Sequence, residues 1–67
     1  MGINYKRLWK LMIDKEISNA QLRDLTGIAS STLSKMKKNE LVALEVLIRI
    51  CIALDCELSD IAEVERD

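Results

Sequence analysis

Residues 17–36 decide the fold: Ile17-Ser18-Asn19-Ala20-Gln21-Leu22-Arg23-Asp24-Leu25-Thr26-Gly27-Ile28-Ala29-Ser30-Ser31-Thr32-Leu33-Ser34-Lys35-Met36. They read as two short helices joined by a tight turn. Ser18 is a helix N-cap, and Gln21 follows three residues later, the spacing of a capping box. Ala20, Leu22 and Leu25 give the first helix a narrow apolar stripe. Gly27 stands where a left-handed residue ends a helix. The second helix begins near Ser30, and Leu33 and Met36 give it an i, i+3 apolar face. Its other side carries Ser30, Ser31, Thr32, Ser34 and Lys35. A short helix with hydroxyls and a positive charge outward suits a groove between phosphate walls, where side chains hydrogen-bond base edges. The stretch predicts a helix-turn-helix.

The flanks supply the remaining helices. Tyr5, Leu8, Trp9 and Met12 fall at i, i+3, i+4 and i+7, the stripe of an amphipathic helix with Trp9 as a core anchor. Residues 44–54 are apolar almost all round. Only Glu45 and Arg49 interrupt, four apart, as an exposed ion pair. A helix of that composition is expected at the buried centre of its domain. Asp55 follows in the position of a left-handed cap, a conformation Asp tolerates better than most residues.

The order and spacing of these parts resemble the Cro/phage-repressor class of prokaryotic helix-turn-helix domains, the xenobiotic-response-element type. The resemblance rests on the 17–36 core and a preceding helix at Tyr5 to Lys15. It rests also on the pattern Leu44, Leu47, Ile50, Ala53 and Leu54, and a final short helical turn at Leu58 to Ala62. It implies an all-α, compact five-helix bundle of the lambda-repressor-like type, one domain over residues 1–67, with helices 2 and 3 as the helix-turn-helix. It also implies sequence-specific binding of double-stranded DNA by a small transcriptional regulator, with a recognition helix of about residues 30–38 in the major groove. Position by position, the base readers are Ser30, Ser31, Ser34 and Lys35, while Thr32 supports the helix. The phosphate contacts are Asn19, Arg23, Lys37, Lys38 and Asn39. A structural role competes at Lys37 and Lys38, whose charge complements the dipole at a helix C-terminus. Two departures bear on stability: Ala29 and Ala43 stand where the family has a Ser or Thr cap, each worth about 0.5–2 kcal/mol.

The charge distribution fits a nucleic-acid partner better than the net charge of −1 suggests. Residues 1–38 hold eight basic and three acidic residues, a net of +5, and residues 39–67 hold two basic and eight acidic, a net of −6. Such asymmetry between halves points to nucleic-acid contact. One Trp, one Tyr and no Phe leave too few aromatics for a single-strand stacking platform. The chain has no His, no Gly-rich phosphate loop and no nucleophile motif, so neither an enzyme nor a cofactor is expected. Cys51 and Cys56 do not have the number or spacing of a zinc site and read as reduced core thiols. No apolar run approaches the roughly 20 residues of a membrane span, and a cytoplasmic location is expected.

A single domain with four or five phosphate contacts binds weakly alone. The expected form is therefore a homodimer on a palindromic operator, with recognition helices about 34 Å apart. Ile48 and Ile52 are the candidate dimer contact, Ile52 standing where the family more often has a polar residue. Against that stands coverage of Ile52 by the last helix or the tail. The alternative function is a protein-interaction module, an antitoxin or accessory subunit on a helix-turn-helix fold that no longer binds DNA.

Overall fold

The computed structural model describes residues 2–66. Their order is β1 (Gly2–Asn4), α1 (Lys6–Asp14), α2 (Asn19–Thr26), α3 (Ser30–Lys37), α4 (Leu44–Leu54), a 3-10 turn (Leu58–Asp60) and β2 (Glu63–Glu65). At the head of α2 the capping box is complete. The Ser18 hydroxyl accepts from the Gln21 backbone N–H at 3.1 Å, and the Gln21 side chain accepts from the Ser18 N–H at 2.8 Å. Each helix ends on a left-handed residue: Glu16 (φ 56°), Gly27 (φ 73°), Asn39 (φ 58°) and Asp55 (φ 52°). After α1, α3 and α4 the next N–H reaches back over the last turn, Ile17 to the Met12 carbonyl, Glu40 to that of Lys35 and Cys56 to that of Cys51, at 2.9–3.0 Å. These bonds satisfy carbonyls that a helix end otherwise leaves open.

The core is Tyr5, Leu8, Met12, Leu22, Ile28, Leu33, Met36, Leu47, Ile50, Leu54 and Ile61. Every helix contributes, so removing any one of them uncovers the others. Tyr5 precedes α1 as its cap residue and is fully buried. Its hydroxyl donates to the Glu40 carbonyl at 2.9 Å, tying the start of α1 to the chain leaving α3. Burial of the ring pushes the Tyr5 phenol above its ordinary pKa of 10.0, so the hydroxyl keeps the proton this bond needs.

Four expectations from the sequence are corrected. The described residues form four α-helices and not five: the segment expected as a last helix is one 3-10 turn over Leu58–Asp60. Glu57 and Asp60 cap that turn reciprocally, Ile61 drops into the core, and the chain then extends into β2. β2 pairs antiparallel with β1 in the register Gly2↔Glu65, Ile3↔Val64, Asn4↔Glu63, closing the two ends of the chain against each other. Arg7 secures this closure, donating to the Ser59 carbonyl at 2.9 Å and pairing with Glu63 at 3.3 Å.

In α2 the buried positions are Leu22 and Thr26, and Ala20 and Leu25 are exposed. Thr26 is tolerated inside because its hydroxyl donates to the Leu22 carbonyl at 2.7 Å, a bond that removes the cost of burying it. Trp9 is half-buried at the edge of the core and is not one of its anchors. In α4 only Leu47, Ile50 and Leu54 are buried, while Leu44, Ile48 and Ile52 lie four apart on an exposed flank. The expected Glu45–Arg49 pair forms at 2.8 Å. No helix among the described residues is long and apolar enough to cross a membrane.

Candidate nucleic-acid interface

The packing of α3 sorts its eight side chains. Leu33 and Met36 are buried, and this anchors one side of the helix in the core. Ser30, Ser31, Ser34 and Lys35 are all exposed on the remaining sides, and Thr32 is half-buried. The helix starts at Ala29 in extended backbone (φ −75°, ψ 153°) with no side-chain cap. The candidate readers are therefore presented together, on a helix held rigidly by two core residues.

The candidate phosphate donors lie around this face. Lys37 closes α3, Lys38 caps it and Asn39 makes the left-handed turn that follows; all three are exposed. Asn19 is exposed at the first position of α2. Arg23, one helical turn further along α2, is half-buried, and its Nε is buried with no hydrogen-bond partner among the described residues. The ion pairs among the described residues join Arg7 to Glu63 and Arg49 to Glu45. Neither uses a cation of α2 or α3; of these, Lys35 and Lys37 are exposed and Arg23 is half-buried.

Lys37 has a contact that sequence spacing did not show. Its Nζ sits 4.8 Å from the centroid of the Trp9 ring, within the range of a cation–π interaction. The two residues belong to different helices 28 positions apart, and no local pattern links them.

On the far side of α4 the two cysteines are half-buried, free thiols at the edge of the core. They line a shallow groove with Ile48, Ile52, Asp55, Glu57 and Leu58. Burial, then the charge of the neighbouring Cys51, pushes the Cys56 thiol up to about 11, and burial also raises Cys51. Both are thus protonated and poor nucleophiles at neutral pH. Ile48 and Ile52 are 45% and 76% exposed, so the described residues leave both on the surface. Leu44 (59%) and Leu25 (57%) are exposed as well, and Leu25 shares a depression with Arg49 and Ile52. The signal for Leu44 was present in the sequence as a spacing of four with Ile48 and Ile52. With only Glu45 and Arg49 polar in that helix, an exposed flank did not stand out.

Comparison with known proteins agrees with this geometry. A model of the Cro/C1-type helix-turn-helix DNA-binding domain matches residues 7–67. The crystal structure of the transcriptional regulator VanUg is similar, at 41% identity and a TM-score of 0.93, covering 98% of this chain and 88% of that one. A search of curated proteins returned no match. The match over nearly the whole chain, together with two helices meeting at Gly27 and a polar face on the second, identifies the family: this chain belongs to the Cro/C1-type helix-turn-helix DNA-binding domains.

Proposed function

We propose that the protein is a transcriptional regulator that reads double-stranded DNA by seating residues 30–38 in the major groove. The observation that carries this reading is the sorting of α3, with Leu33 and Met36 in the core and Ser30, Ser31, Ser34 and Lys35 outward. Lys35 has the chemistry to donate to guanine O6 and N7, the commonest specific contact, whereas serines serve any base and discriminate less. Direct readout thus rests chiefly on Lys35, and DNA shape carries part of the specificity. Asn19, Arg23, Lys37, Lys38 and Asn39 are the phosphate contacts that fix register. Two copies on a palindromic operator supply the affinity that one short phosphate set lacks, and Ile48 and Ile52 are their contact.

The test is fluorescence anisotropy with a labelled random-sequence duplex at about 50 mM and about 200 mM salt. Binding at low salt that falls steeply at the higher concentration is expected, because each neutralised phosphate contributes about −0.9 to the slope of log K on log salt. Absence of binding at low salt would overturn the reading. It would favour the interaction-module alternative, for which the exposed Leu44, Ile48 and Ile52 are the specific observation.

A further inference from the structure

Trp9 and Met12 on α1, Ile13, Ile17, Ser18, the Asn19 side chain at the start of α2 and Lys37 at the end of α3 line one open notch. Its lining is part apolar and part polar. Asn19 and Lys37 bring an amide and an ammonium to the same opening from two helices. The ammonium lies over the indole there, 4.8 Å from its centroid. An exposed lysine at a helix end ordinarily samples many rotamers, and clamping a phosphate costs it that freedom. A lysine already seated on a ring has given much of it up before the ligand arrives, which is how preorganisation raises affinity.

We propose that Trp9 is a positioning residue for DNA binding: it holds Lys37 over this notch so that Lys37 and Asn19 meet the same backbone phosphate. The proposal rests on the DNA-binding reading above and adds to it which donors act as a pair and what aligns them. Trp9 itself does not stack on a base. It is half-buried, and Lys37 lies over its ring.

A double-mutant cycle separates positioning from mere packing. Wild type, Trp9→Leu, Lys37→Met and the double variant are titrated into the random-sequence duplex by anisotropy at both salt concentrations, with folding followed by circular dichroism. Lys37→Met is expected to weaken binding and flatten the salt slope by about 0.9, one phosphate contact. Trp9→Leu is expected to weaken binding about 2- to 5-fold, the fold-change equivalent to an exposed cation–π contact. In the Lys37→Met background that loss should vanish, and Trp9→Phe should recover part of it. An equal loss in both backgrounds, no loss at all, or an unchanged slope in Lys37→Met overturns the proposal.

Trp9 is the only tryptophan of the chain, and its emission provides a readout that needs no variant at that position. A change in emission as duplex saturates the wild type supports the site. Constant emission while anisotropy reports full binding overturns it and leaves the DNA reading intact. Failure of the wild type to bind at low salt instead removes the underlying reading.

Discussion

Lys35 and Lys38 are three residues apart, yet the proposed reading gives them different work. Lys35 lies within α3 beside Ser31 and Ser34, whereas Lys38 caps the helix where the chain turns at Asn39. A contact to a base edge carries sequence information and a contact to phosphate does not. Lys35→Ala is therefore expected to relax base preference at one position of the selected site, with about 1–3 kcal/mol of discrimination lost there. Lys38→Ala should weaken all sequences alike and flatten the salt slope by about 0.9. Selection from a random library, followed by competition binding with both variants, measures the two effects. The same uniform loss in both would sink the division into readers and clamps. At this scale the sequence showed which side chains α3 offers, since the spacing of Leu33 and Met36 fixes its inner face. It did not show that Lys37 stacks on Trp9, because that contact depends on how α1 and α3 cross.

The helices start and stop on devices of unequal legibility. Ser18 with Gln21, Gly27 and Asp55 are local signals, and each acts as its residue type suggests. Glu16 gave no such signal: a glutamate is not a favoured left-handed residue. It adopts φ 56° because Ile17, the next residue, packs against the core while its N–H bonds the Met12 carbonyl at 2.9 Å. Burial there overrides local preference. The weak elements are the uncapped starts of α3 and α4. Ala43 has the extended backbone of a cap residue (φ −60°, ψ 142°) but no side chain able to accept a hydrogen bond. Ala43→Ser is expected to stabilise the fold by about 0.5–2 kcal/mol, with Tm rising by about 4–8 °C for each kcal/mol in a domain of this size. Thermal melting by circular dichroism measures it, and DNA affinity should stay unchanged because Ala43 lies outside α3. An unchanged Tm would mean that the first N–H groups of α4, where Val46 N–H already bonds the Ala43 carbonyl at 3.0 Å, gain nothing from a side-chain acceptor. Ala29→Ser is the poorer test, since it adds a hydroxyl beside the proposed reading face.

Across the whole molecule, the helical core was legible from apolar spacing and the closing sheet was not. Strands of three residues are too short for alternation to register, and the Ile3↔Val64 pairing joins the two ends of the chain. Closure by this sheet replaces a fifth helix, and it leaves the flank of α4 open. Leu44, Ile48 and Ile52 are exposed along that flank, with Leu25 and Leu58 exposed nearby. A row of exposed aliphatics on so small a protein has a use if a second copy covers it. Two copies joined there would convert two weak phosphate sets into one tight-binding unit, because the second recognition helix then binds at high effective concentration. Ile52 is 76% exposed, so Ile52→Glu leaves the core untouched and should alter the stability of one copy by no more than about 0.5 kcal/mol. Two glutamates facing each other, or one facing apolar surface, are costly to bury. Light scattering on a sizing column should thus find wild type as a dimer and Ile52→Glu as a monomer at high micromolar concentration. Binding of the variant to a palindromic operator should fall at least about tenfold, toward the affinity of a single half-site, with its base preference retained. A wild type that elutes as a monomer at that concentration would defeat the α4 contact. A monomeric variant that still binds the palindrome as tightly as wild type would show that the two copies meet through the DNA and not through Ile52.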